Sequence, residues 1–198
     1  MERLYFEVPG PERKADAIEY ILEFIANDSQ INGTGGLNRF LDNYEGWLEK
    51  LAADRKREPS EEKVPSVTFF LVRESDRRIV GMINIRLALN EKLRKYGGNI
   101  GYSIRPTERG KGYNNINLYL GLKVCDRHGI ETVLMDADLD NPPSWKTMEK
   151  FGGIRTREYF EEQDGCMVVD YTIDVKKALA AHPELEECVV GTDRILQE

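Results

Sequence analysis

Histidine and cysteine are scarce in this chain, two and three respectively in 198 residues, and their scarcity removes several kinds of chemistry. His128 and His182 cannot build a metal cluster, and no motif surrounds either one. No metal is therefore expected, and a Ser/His/Asp hydrolytic triad has little support. Cys125, Cys166 and Cys188 lie too far apart for a CxxC metal or redox pair, and their odd number suits no disulfide framework; reduced, largely buried thiols are expected. A run of about twenty apolar residues is also missing, and the first residues, with Glu2, Arg3, Glu7 and Pro9, lack the apolar core of a signal peptide. The expectations are no membrane association and a cytoplasmic location. Nor is there an excess of basic residues. Thirty-five acidic against 28 basic side chains give a net charge of −7, which argues against a nucleic-acid partner, whose affinity comes from clustered Lys and Arg. An acidic surface is compatible with a cationic substrate such as an amine, and equally with solubility alone.

What is present reads as one mixed α/β domain, since 198 residues suffice for one sizeable core and are short for two. Pro11 to Asn27 places Ala15, Ile18, Ile21, Leu22 and Ile25 at spacings of three and four, the pattern of an amphipathic helix. Ile31-Asn32-Gly33-Thr34-Gly35-Gly36 reads as a loop, because no strand precedes its glycines. Phe40, Tyr44, Trp47, Leu48 and Leu51 mark a second helix, and the charged stretch from Asp54 to Lys63 reads as an exposed connection. Val67–Arg73 and Ile79–Leu87 flank a polar turn and predict a hairpin. A helical turn at Glu91–Lys95 and a strand at Asn99–Ile104 follow. The apolar face around Ile116, Leu120 and Val124, widened by Leu118 and Leu122, belongs to a helix packed on a sheet, and Gly121 within it points to close packing. Ile154–Phe160 and Cys166–Asp174 flank Asp164-Gly165, a strong hairpin signal, and Lys176–His182 reads as helical before Pro183.

The most informative segment is Arg109-Gly110-Lys111-Gly112-Tyr113, which follows the strand Ile100-Gly101-Tyr102-Ser103-Ile104 and leads into a helix. The first amides of a helix have no intrahelical acceptor and sit at the positive end of its dipole, so they suit a diphosphate; glycines let the backbone approach it, and Arg109 and Lys111 add charge. With Asn114, this segment resembles the Arg/Gln-x-x-Gly-x-Gly/Ala signature of the GNAT (GCN5-related N-acetyltransferase) family. Ile104-Arg105-Pro106 stands where that family has its apolar-x-Pro strand end. A helix over Asn115–His128, a strand at Thr132–Ala137, Asn141-Pro142-Pro143-Ser144 and a second helix ending at Phe151-Gly152-Gly153 continue the family order. The resemblance covers roughly Val67 to Asp174. In motif style it is closest to the ribosomal-protein N-terminal acetyltransferase branch.

The resemblance implies a GNAT fold: an α+β (α/β) architecture with a central, mostly antiparallel mixed sheet of six or seven strands, splayed at its centre and flanked by helices. Residues 1–64 would shape the acceptor side, 67–174 form the acetyl-CoA-binding core, and 175–198 make a C-terminal extension. The implied reaction is transfer of an acetyl group from acetyl-CoA to a primary amine, by direct attack on the thioester. The acceptor would be a small-molecule or peptide amine, and a homodimer is open as the assembly. The implied alternative is a CoA-binding regulatory module of the same fold without turnover. By the resemblance, Ser103 and Ile104 would bind the pantetheine arm through backbone groups. The amides of Arg109, Gly110, Lys111, Gly112, Tyr113 and Asn114 would hold the diphosphate, and Asn141 would contact the arm, although an Asn before Pro142 is equally a helix cap. Two positions depart from the pattern. Asn114 replaces the usual Gly or Ala, adding bulk near the phosphates, and Met148 stands where many members have a proton-donating tyrosine. Ser144, three residues after Asn141, matches a serine that the ribosomal-protein branch keeps near the cofactor sulfur, suited to hydrogen-bonding a thiolate. Glu91 is the candidate base, and Tyr102 points either into the core or toward the substrate.

Overall fold

The computed structural model describes residues 2–162 and 165–191. Among these residues seven strands form two antiparallel sheets: β1 (Leu4–Glu7), β2 (Ser66–Arg73), β3 (Ile79–Arg86) and β4 (Ile100–Ile104) in the order β1-β2-β3-β4, and β5 (Thr132–Asp138), β6 (Ile154–Glu161) and β7 (Cys166–Asp174) in the order β5-β7-β6. Six helices accompany them: α1 (Lys14–Ala26), α2 (Tyr44–Arg55), α3 (Glu91–Lys95), α4 (Tyr113–Arg127), α5 (Pro142–Lys150) and α6 (Val175–Ala181). The expected hairpins and the glycine-loop helix are all found. Of the Asp164-Gly165 turn, Asp164 lies outside the described residues.

Alternation along β2 explains the layering, because successive side chains leave opposite faces of a sheet. Phe69 and Leu71 join the cluster beneath α4, whereas Phe70 and Val72 pack with α1 and α2. Gly121 sits where α4 crosses β3: a Cβ there would lie 2.6 Å from Ile83 Cδ1, so the close packing expected from its sequence is real. Strand β1 carries no sequence signal beyond four residues, and its pairing with β2 is what makes it a strand.

The sequence expectation for α1 needs a rotation. Its buried side is Ala17, Tyr20, Ile21 and Phe24, while Leu22 and Ile25 are half exposed. The aromatic residues win the sheet face because they bury more area, and because the Tyr20 hydroxyl donates to the Ser103 carbonyl at 3.1 Å. Arg105, only 1% exposed, fixes the same helix to the end of β4: its guanidinium reaches Glu19 and Glu23 at 2.9 Å each and the Ile79 carbonyl at 2.8 Å.

Strands β4 and β5 belong to different sheets, yet they touch at one end. The Asn99 amide donates to the Leu134 carbonyl at 2.7 Å, and the Asn99 side chain accepts from the Leu134 amide at 2.9 Å. Beyond that clasp no ladder joins them among the described residues. Among these residues no helix is long and apolar enough to cross a membrane.

Candidate active site

The gap between β4 and β5 leaves an unpaired strand edge. On the other side of β4, the Arg105 amide donates to Val80 and the Asn99 carbonyl accepts from Arg86, so the odd-numbered residues address β3. In an antiparallel ladder the intervening peptide groups point the opposite way. Tyr102 and Ile104 therefore present theirs to the gap. The Ile104 carbonyl confirms this geometry by accepting from Arg109 Nε at 3.2 Å. Ser103 turns the other way: its buried hydroxyl donates to the Asn32 carbonyl at 2.6 Å and pairs with the Tyr20 hydroxyl at 3.0 Å.

At the end of β4 a short turn, Pro106–Glu108, leads into the glycine loop. Gly110 and Gly112 have φ of 77° and 79°, in the left-handed region that favours glycine. A Cβ on Gly110 would meet nothing within 4 Å, so the loop opens onto free space there. Gly112 caps α4 without a side-chain cap bond, and the first amide to find a helical partner is Asn115, bonded to the Gly112 carbonyl. The amides of Gly110, Lys111, Gly112, Tyr113 and Asn114 consequently have no acceptor among the described residues, which is the cradle that a diphosphate needs. The Arg109 amide is engaged with the Pro106 carbonyl at 3.3 Å.

The two basic side chains of the loop are also committed. Lys111 pairs with the buried Glu108 at 2.7 Å. Arg109 reaches Ser29 Oγ at 2.6 Å and lies over the Phe24 ring. What the loop leaves free is therefore its backbone amides and the helix end. Asn114, the residue that departs from the glycine signature, sits in the first turn of α4 and turns inward, its amide donating to Thr147 Oγ1 at 3.3 Å. Its bulk faces α5 instead of the open side of the loop.

Tyr102 and Ser144 come together. The Tyr102 hydroxyl lies 3.2 Å from both Ser144 Oγ and the Ser144 carbonyl, bridging β4 to the first turn of α5. Burial pushes the phenol up to about 12, against the opposing effect of the Ser144 and Asn114 side chains. Met148 is 1% exposed and belongs to the core beneath α4. Asn141 caps α5 by position, with no side-chain cap bond, and its side chain is half-buried. Glu91 is exposed in the first turn of α3 and does not line the cavity on the α1–α2 side of the sheet.

A cavity of about 420 Å³ opens on the α1–α2 side of the same sheet. Its wall is the segment between these helices. Gln30 donates to Asp138 on β5 at 3.0 Å, Asn32 accepts from Ser103 on β4, and Gly33 lies against Gly101, where a Cβ would come within 2.4 Å of the Gly101 carbonyl oxygen. The segment read as a plain loop is thus a strap running from one splayed strand to the other. Sequence reading gave it no role, since only its partners across the sheet reveal one. Arg86 on β3, also without a sequence signal, borders the cavity and donates to the Gly97 and Gly98 carbonyls at 2.7 and 2.8 Å. Asp136 on β5 accepts from the Gly97 amide at 2.7 Å, and burial raises its carboxyl above the usual range, with nearby Arg86 opposing.

The model of the acetyltransferase (GNAT) domain matches residues 3–154. No curated protein matches the chain significantly in sequence. Similar solved structures include a chimera of the spermidine N-acetyltransferase SpeG from Vibrio cholerae and hSSAT, at 13% identity and TM-score 0.61, covering 90% of this chain and 99% of the other. A candidate ribosomal-protein-serine acetyltransferase from Vibrio cholerae aligns at 15% identity and TM-score 0.59, over 88% and 95% of the two chains. A candidate acetyltransferase from Acinetobacter baylyi ADP1 aligns at 15% identity and TM-score 0.60, over 88% and 93%. At such identities the likeness concerns the fold.

Proposed function

Because the chain belongs to the GNAT acetyltransferase family, we propose that it moves the acetyl group of acetyl-CoA to a primary amine by direct attack of the nitrogen on the thioester. The observation that carries this reading is the open cradle of amides from Gly110 to Asn114, set beside the unpaired edge of β4. When bound, acetyl-CoA supplies an acyl group already activated as a thioester. The amides of Gly110 to Asn114 hold the diphosphate, and the peptide groups of Tyr102 and Ile104 pair with the pantetheine arm. Asn141, at the start of α5, offers its amide to the same arm.

The remaining residues manage protons. Tyr102 stays protonated at neutral pH, since burial raises its phenol to about 12, and Ser144 lies beside it. The pair holds a donor where the sequence has no tyrosine on α5, and so does the work that Met148 cannot. An amine must lose a proton before it attacks, because its ordinary pKa lies near 10. Asp136 is the base we assign: burial raises its carboxyl and so its readiness to accept a proton, whereas Glu91 lies exposed on α3.

Thermal melting with acetyl-CoA, followed by thiol release on an amine panel, tests the proposal. A raised melting temperature with thiol release supports it. A shift without release across the panel favours the regulatory reading, and no shift at millimolar acetyl-CoA removes both.

A further inference from the structure

The cavity beside the strap has a one-sided charge. Arg39, Lys50 and Arg86 line it, with no Asp or Glu among its lining residues. Lys50 pairs with Asp54 at 2.6 Å, a carboxylate it shares with Arg57, but Arg39 and Arg86 make no ion pair among the described residues. Arg86 spends one nitrogen on the Gly97 and Gly98 carbonyls, and its charge is desolvated enough that burial lowers its affinity for the proton. A guanidinium in that condition has fork donors to spare and gains most from an anion. Asn84, Ser66 and Asn38 add hydrogen-bonding groups to the same wall. Asp136, within electrostatic reach of Arg86, lines a separate, smaller cavity with Gly97 and Gly98.

We propose that this cavity receives an amine acceptor carrying an anionic group, a carboxylate or phosphate, which Arg39 and Arg86 hold while the amine is directed toward the β4–β5 gap. The assignment rests on the acetyl-transfer reading and narrows its acceptor. A polyamine is disfavoured, because its charges would meet two unpaired cations in a wall without carboxylates.

The test compares amines that differ in the anion: O-phosphoethanolamine and glutamate against ethanolamine and spermidine, with acetyl-CoA saturating. We expect kcat/KM for at least one anionic amine to exceed that for both others by about tenfold or more, since a hydrogen bond to a charged group contributes roughly 1.5–3 kcal/mol. The glutamate and O-phosphoethanolamine arms distinguish carboxylate from phosphate. Arg39 is exposed and unpaired among the described residues, so Arg39→Glu should fold normally, raise KM for the anionic amine about tenfold or more and leave KM for acetyl-CoA unchanged. Preferred turnover of ethanolamine or spermidine would overturn the assignment, as would an Arg39→Glu variant with unaltered selectivity. If no amine on the panel reacts, calorimetric titration with inorganic phosphate in saturating CoA decides the matter. Binding lost in Arg39→Glu supports the anion site, and no binding, or binding equal in both proteins, sinks it. Failure of the acetyl-transfer reading shows separately, as melting that acetyl-CoA leaves unmoved or moves without thiol release across a broad amine panel.

Discussion

Gly110→Ala separates the cradle's chemistry from its folding cost. Gly110 has φ of 77°, and an added Cβ would meet no atom within 4 Å. The variant thus suffers backbone strain alone, roughly 1–2 kcal/mol for an L-residue in the left-handed region. About 0.4–1 kcal/mol of that is offset by the reduced freedom of the unfolded chain. The net loss is about 1 kcal/mol, a fall in Tm of about 2–4 °C for a chain of this size. Gly129 is a matched control: φ is 70° and its Cβ also meets nothing, but it lies beyond the other end of α4. Gly129→Ala should lower Tm equally. Only Gly110→Ala should raise KM for acetyl-CoA, because its methyl occupies the space that a phosphate needs. Losing one charge-assisted amide bond, roughly 1.5–3 kcal/mol, corresponds to a factor of about 10 to 100. Steady-state kinetics and calorimetric melting on both variants check this. Equal KM values would refute the placement of the diphosphate at this loop.

Tyr102→Phe should lower kcat by about 10- to 100-fold at nearly constant KM for acetyl-CoA, because it removes a hydrogen bond to a developing thiolate, roughly 1.5–3 kcal/mol; Ser144→Ala should lose less, and the native enzyme should keep its activity up to about pH 10, since Tyr102 ionises only near 12. Arg105→Met should reduce stability by about 1–3 kcal/mol in urea denaturation, because it leaves the buried Ile79 carbonyl without its donor and Glu23 with only the longer Arg78 pair at 3.5 Å. Acid should weaken the fold in a defined direction. Glu23, Asp54 and Glu108 all titrate below their ordinary values despite burial, held down by hydrogen bonds and by neighbouring cations. Their contribution is complete above the ordinary carboxylate range and disappears as pH falls through the depressed folded values, so the urea midpoint should hold from pH 7 to about 5 and drop below about 4. Gly33→Ala places a Cβ against the backbone of Gly101 and Tyr102, so acceptor kinetics should deteriorate more than acetyl-CoA binding does.

Local signals made much of the fold legible. The alternation in β2 and β3, the periodicity of α4 and the glycines before it are properties of short segments, and each segment folds as its own pattern demands. Gly110 and Gly112 were readable because a positive φ and a close approach need that residue wherever it occurs. Leu22 and Ile25 misled: periodicity shows that α1 has an apolar side, but its rotation depended on Tyr20 reaching Ser103 and Arg105 reaching Glu23, partners more than eighty residues away in sequence.

By itself, then, the sequence determined the order of elements, the glycine loop with its freed amides, and the family. Tertiary structure alone decided what those residues face. Asn114 turns inward because Thr147 is there to accept its amide. Tyr102 keeps its proton because folding buries its phenol, and Arg86 makes no ion pair among the described residues because folding sets it beside a cavity without carboxylates. The physical reason is the same in each case. Conformational preference is local to the chain, whereas desolvation, pairing and access depend on neighbours that only folding brings together.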